Sequence, residues 1–150
     1  KTLASEEEGE LGDAMKDADV FIGLSAPGIV SGDMIEEMAD EPVVFALANP
    51  EPEIMPDEAR EAGAGIVATG RSDFDNQVNN SLAFPGIFRG ALDAGAKEIN
   101  EEMKQAASEA IRNFIEPEED SIVPETLDRE LAMTIAESVE EAALETAETR

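Results

Sequence analysis

The chain has 150 residues and is 42% hydrophobic, long enough for one domain around one core and too apolar for a disordered acidic tail. Its 36 acidic residues against 10 basic ones give a formal net charge of −26, which argues against nucleic-acid and membrane partners because phosphates and anionic lipids are repelled. Cys, His, Trp and Tyr are all absent, which excludes disulfides, thiolate or imidazole metal sites and histidine acid–base chemistry within this chain.

In chain order, residues 5–18 are acidic and helix-like, with Leu11 and Met15 on one face. The short β-prone run Val20-Phe21-Ile22-Gly23-Leu24 reads as a buried strand that ends in the loop Ser25-Ala26-Pro27-Gly28. Ser31 is placed to cap a helix with Met34, Ile35 and Met38 on its apolar face. Val43-Val44-Phe45-Ala46-Leu47 is a second strand, stopped by Asn49-Pro50. Pro56 in a first turn and Gly63 past the end frame a short helix, and Ile66-Val67-Ala68-Thr69 is a third strand. From Asn79 onward the chain reads as helices, about 80–94, 98–115 and 126–147, with Pro85 favouring a start or kink in the first. The last carries Leu127, Leu131, Ile135 and Val139 at four-residue spacing, a stripe expected in the core. Pro117 and Pro124 bracket an acidic connector, and no linker calls for a second domain.

Continuous apolar strands alternating with helices mean an α/β fold with a parallel sheet covered on both faces. The expected architecture is therefore a partial, Rossmann-like parallel sheet of about three strands followed by C-terminal helices, with residues 1–150 as one partial domain. In such a sheet, ligands bind beyond the carboxyl ends of the strands. Those ends are Ser25-Ala26-Pro27-Gly28, Asn49-Pro50 and Gly70-Arg71-Ser72-Asp73, whose small and amide-bearing residues suit close approach and neutral hydrogen bonding. The same residues are also ordinary turn formers. Gly63-Ala64-Gly65 precedes a strand instead of following one, so it reads as a helix cap and turn and not as a dinucleotide fingerprint. Asn79 and Asn80 fall near a helix N-terminus, where they either cap the helix or help to hold an anion such as a carboxylate.

Three runs, Asp19 to Gly28, Phe45 to Ile54 and Ala68 to Asp73, resemble the C-terminal part of bacterial and archaeal malic enzymes. So do Asn76-Gln77-Val78-Asn79-Asn80, the stretch Phe84 to Asp93, and Ile99 to Lys104. The resemblance covers nearly the whole chain in order. It implies oxidative decarboxylation of malate to pyruvate with NAD or NADP and a divalent metal, Mg²⁺ or Mn²⁺. It also implies that Asn49, Asn79 and Asn80 contact malate, that Asn49 lies near the nicotinamide ribose, and that Ser25, Ala26, Pro27 and Gly28 border the cofactor.

The family's tyrosine acid has no counterpart here, and neither Lys97 nor Lys104 stands in its catalytic-lysine motif. No acids form a recognisable ligand motif, so each reads as a solvated carboxylate and the metal is expected on residues outside the chain. The resemblance thus implies a malic enzyme piece that is inactive alone, lacking an upstream catalytic domain and the dinucleotide fingerprint. The full enzyme is expected to be a homodimer or higher oligomer. The alternative is a non-catalytic acidic interaction module with a dehydrogenase-like fold. Lys1 in place of Met hints that something precedes it, and with no spanning run and nothing resembling a signal peptide the expectation is a soluble, cytoplasmic protein.

The acids are spread along the chain, not blocked in a tail, which reads as a solvated acidic surface without a role in chemistry or, as favoured here, as adaptation to high salt. Self-repulsion then destabilises the compact state until cations screen it. The melting temperature of this chain is accordingly expected to rise from low salt to molar KCl. A melting curve that is sharp and unchanged across that range would contradict the charge argument.

Overall fold

The computed structural model describes residues 9–126 and 128–147. The chain divides between Val78 and Asn79 into two compact units.

The first unit alternates helix and strand: α1 (Leu11–Met15), β1 (Val20–Gly23), α2 (Gly32–Glu36), β2 (Val43–Ala46), α3 (Pro56–Glu61) and β3 (Ile66–Thr69). The three strands form one parallel sheet in the order β1-β2-β3. Register aligns Val20 with Val43 and Val43 with Ile66 at one end, and Gly23 with Ala46 and Ala46 with Thr69 at the other. All three strands therefore stop level with one another, and the loops after them leave from one edge.

Side-chain alternation along β2 sends Val44 and Ala46 to one face, where they meet Val67 of β3. Ile35 of α2, Ala59 of α3 and Met15 of α1 complete that core. Ile35 and Met38 are buried as their spacing predicts, and Met34 is half-buried. The other side of β1 differs from expectation. Val20 and Ile22 are 52% and 62% exposed, so β1 has one uncovered face in this chain and is not buried on both.

Two helix expectations also change. Within the described part of residues 5–18, only Leu11–Met15 is helical. The helix stops because Asp17 takes a left-handed φ of 56° and its N–H turns to the Glu37 carbonyl at 2.9 Å. Ser31 stands at the N-cap of α2, but its side chain makes no capping bond. By contrast, Pro56 opens α3 and Gly63 follows it with φ +100°, as the sequence predicts.

The second unit holds a 3₁₀ turn (Asn80–Leu82) and the helices α4 (Phe84–Asp93), α5 (Glu101–Arg112) and α6 (Arg129–Thr146). The helix expected over 80–94 is thus broken at Ala83, one residue before α4 begins with Pro85 in its first turn. Asn100 caps α5 by accepting from the Met103 N–H at 3.0 Å, and Asp128 caps α6 by accepting from Glu130 at 2.7 Å. Leu131, Ile135 and Val139 are buried with Met103 and Ala107 in a single core, as the four-residue stripe requires. Leu127 lies outside the described residues.

Helix α4 can approach α6 because it presents glycine at the contact. A Cβ on Gly86 would stand 2.5 Å from the Ile135 Cβ and 2.8 Å from the Ala132 carbonyl oxygen. Neither neighbour can retreat easily, since Ile135 is fully buried and Ala132 O is helix backbone. Gly86→Ala is therefore expected to destabilise this unit by about 1–3 kcal/mol, an overpacking cost. Urea unfolding of the variant should show a lower midpoint with an unchanged slope.

Candidate functional site

The level carboxyl ends of the strands bring two of the expected loops together on one side chain, Glu53. Its carboxylate has no solvent exposure. The Ser25 N–H and hydroxyl both donate to Oε1, at 2.7 and 2.9 Å, and the Ala48 N–H donates to Oε2 at 3.0 Å. Backbone bonds support the same junction, with the Gly28 N–H donating to Pro52 O and the Val30 N–H to Glu53 O, both at 3.1 Å. The loop after β1 and the loop after β2 are thus joined through one buried anion.

The space for that anion is made by Gly23. A Cβ there would lie 2.6 Å from both Cδ and Oε1 of Glu53. The last residue of β1 must therefore lack a side chain for the carboxylate to reach Ser25. Burial pushes the Glu53 carboxyl upward, but the N–H groups of Ala48, Ser25 and Glu53 itself, with the Ser25 hydroxyl, outweigh it. The net result is a pKa held below the ordinary glutamate value.

Around this junction, Ser25, Ala26, Pro27, Gly28, Asn49 and Pro50 are all exposed. Gly28 has φ +65° with nothing within 4 Å of where a Cβ would stand, so the loop turns there beside open space. The Asn49-Pro50 peptide is cis. The third loop is tied to the second by Arg71, whose guanidinium makes a two-point pair with Asp73 at 2.6 and 2.9 Å. Its remaining Nη1 lies 3.5 Å from Pro50 O, and its Cζ sits 5.1 Å from the Phe74 ring centre. Asn76, buried at φ 55°, donates through Nδ2 to Val67 O at 3.1 Å, holding the chain after that loop against β3. The first two loops of this edge thus carry exposed neutral groups at Ser25 to Gly28 and Asn49, and the third adds the charged Arg71–Asp73 pair.

Asn79 and Asn80 belong to the second unit, and both are exposed. The Asn79 side chain accepts from the Ser81 N–H at 2.9 Å, so it is the cap of the 3₁₀ turn.

Glu53 was not among the residues expected to matter, and reading every acid as a solvated carboxylate fails for it. A signal was present: Glu53 lies between Pro52 and Ile54, both buried, in the short stretch between Asn49-Pro50 and the start of α3. Among the described residues, no group of three or more acidic, His or Cys side chains could hold a metal ion. No described helix is long and apolar enough to cross a membrane.

Sequential parallel strands, alternating with helices and with their loops leaving from one carboxyl edge, define the class: a Rossmann-like α/β domain. The sequence matches the family described as malic enzyme, NAD binding domain, over residues 4–144. It is 54% identical over 148 residues to the bifunctional malic/malolactic enzyme of Bacillus subtilis, covering 97% of this chain and 36% of that protein. It is 50% identical over 142 residues to the NAD-dependent malic enzyme of Geobacillus stearothermophilus, covering 93% of this chain and 30% of that one. The crystal structure of malic enzyme from Pyrococcus horikoshii superposes with a TM-score of 0.89 at 48% identity, over 95% of this chain and 34% of that one. NADP-dependent malic enzymes stand among the relatives as well. This chain belongs to the malic enzyme NAD-binding domain family, and it spans about a third of the length of the Bacillus and Geobacillus relatives and about a fifth of two NADP-dependent ones.

The Glu53 junction has a measurable pH signature. Its pKa is lowered on folding, so its stabilisation is fully present above the ordinary glutamate value of about 4.3 and is lost as pH falls through the lower folded value. The gap in unfolding free energy between the parent and Glu53→Gln is expected to be roughly 1.5–3 kcal/mol at neutral pH, the usual worth of hydrogen bonds to a charged group. Urea titrations repeated down the pH scale should show that gap closing below about pH 4. A gap that stays constant with pH would mean that folding leaves the Glu53 pKa unchanged.

Proposed function

We propose that this chain is the cofactor-side part of a malic enzyme that oxidises malate and releases CO₂ and pyruvate, reducing NAD or NADP. The observation that carries this reading is the junction of the Ser25–Gly28 and Asn49-Pro50 loops at the carboxyl edge of a parallel sheet, within a chain of the malic enzyme family. The nicotinamide cofactor, when bound, supplies the hydride acceptor. In this reading Ser25, Ala26, Pro27 and Gly28 border it with exposed backbone that stands beside open space at Gly28.

Asn49 serves both ligands, its amide able to donate to a malate carboxylate or hydroxyl and to face the nicotinamide ribose. Asn79 has its oxygen engaged by the Ser81 N–H, which leaves its amide N–H groups for a carboxylate, and Asn80 adds a second amide. Hydrogen bonds from neutral groups orient the substrate, and the hydride transfer is served by positioning. The proton-transfer groups and the ligands of Mg²⁺ or Mn²⁺ are assigned to parts of the full-length protein outside this chain. The absence of tyrosine from the sequence supports that assignment for the family's acid.

The finer setting is part of the same proposal. A reaction that draws on the nicotinamide pool supports a cytoplasmic enzyme, a net charge of −26 supports a salt-adapted one, and a homodimer or larger homo-oligomer is the assembly we assign to it. The acidic-module alternative gains nothing from the family match.

In the full-length protein, malate and Mg²⁺ or Mn²⁺ should drive formation of NADH or NADPH, followed at 340 nm. Asn49→Ala and Asn80→Ala are each expected to lower kcat/KM for malate by about 10- to 100-fold, the loss of one or two hydrogen bonds to a charged substrate. Kinetics unchanged in both variants would remove the substrate assignment.

A further inference from the structure

We propose that Glu53 is a positioning residue that sets the cofactor-side loop and the Asn49 loop against each other as one rigid piece. This inference rests on the functional reading above, since it gives those two loops their ligands.

Three features separate this carboxylate from an ordinary buried acid. First, it is divided between two loops: Oε1 takes both donors of Ser25, and Oε2 takes the N–H of Ala48, the residue before Asn49. Second, Ser25 lies 28 residues away in sequence and Ala48 only five, so nothing local requires them to meet. Third, the site is cleared for it, because any side chain at Gly23 would collide with the carboxylate at 2.6 Å. A carboxylate alone fits this set of partners. All the donors point inward, so both oxygens must accept, and a glutamine would turn an NH₂ group against one of them. Loss of Oε2 frees the Ala48–Asn49 backbone, and loss of Oε1 frees the start of the Ser25–Gly28 loop. Either way the spacing between the two sets of ligand-facing groups is released, although Glu53, being fully buried, touches no ligand itself.

A residue that only stabilises the fold would lower the melting temperature and leave the folded enzyme's constants alone. A positioning residue changes those constants together. The test uses the full-length protein, parent against Glu53→Gln, well below the melting temperature of both. Hydrogen–deuterium exchange is expected to quicken about tenfold or more in residues 24–30 and 47–50 together. The Kd for NADH or NADPH and the KM for malate are expected to rise in parallel, and kcat to fall by on the order of 100-fold, the scale of a misplacement near 1 Å. Glu53→Asp keeps the charge and shortens the arm, so it should fail to restore the constants, and it carries the same test if Glu53→Gln does not fold.

Exchange that quickens in neither loop or in one alone, or constants within twofold of the parent, would overturn the proposal. Should the parent form no NADH or NADPH from malate, the functional reading falls by itself. Exchange in the two loops and the cofactor Kd then still decide whether Glu53 holds them together.

Discussion

A carboxylate taken out of water must be met by enough donors to replace its hydration, and the carboxyl edge of this sheet is arranged around that requirement. Glu53 has three donors from two loops, and those donors can converge only if β1 and β2 end level with each other. Parallel register provides the alignment, with Gly23 opposite Ala46 and the Leu47 N–H bonded to the Gly23 carbonyl at 3.0 Å. The dependence also runs the other way. Without the anion, the Ser25 and Ala48 N–H groups would be inward-facing donors lacking these acceptors, at a cost of about 1–3 kcal/mol each. The exposed groups on the same loops are therefore held by something buried beneath them, and their outward freedom is paid for inside.

Close approach through a missing side chain occurs in both units. At Gly23 it makes room for a charge, and at Gly86 it lets one helix settle onto another. The two positions respond to different forces. At Gly86 the neighbours are a buried Ile135 and a helix carbonyl, so an added methyl meets packing alone. At Gly23 the neighbour is an ionised group whose partners are set by geometry, so the same methyl would also disturb electrostatics. Conformational freedom matters instead at Gly28, where φ is +65° and the surroundings are open.

Much of this was legible in the sequence where a local pattern carries the information. The runs at Val43 and Ile66 read as strands because short, continuous apolar stretches separate the helices, and Leu131, Ile135 and Val139 read as core because four-residue spacing puts them on one helix face. The exposure of Val20 and Ile22 was not legible, because whether a strand is covered depends on its neighbours and not on its own residues. Glu53 was hidden for a related reason. In a chain with 36 acids one more carboxylate carries no local mark, and its partners at Ser25 and Ala48 are assembled only by the sheet. Residue type left Asn79 open as a helix cap or an anion holder; it caps the 3₁₀ turn, and its value to a ligand depends on which end of the amide the cap leaves open.

The contrast between Glu53 and the other acids also separates two uses of negative charge. Among the described residues Glu53 alone is a buried acid, and what meets it is backbone and hydroxyl dipoles, not a cation. Three ion pairs at the surface of the described residues join near neighbours: Arg71 with Asp73, Arg89 with Asp93, and Lys104 with Glu101. Such pairs fix local geometry and contribute little to global stability. With 10 basic residues against 36 acidic ones, most surface carboxylates cannot be paired within the chain, so their mutual repulsion is relieved by solvent ions. The buried carboxylate is less open to that screening because it is out of solvent and its partners are neutral. Salt therefore acts mainly on the exposed charges, including the Arg71–Asp73 pair beside the second loop, while the Glu53 junction between the first two loops rests on neutral donors.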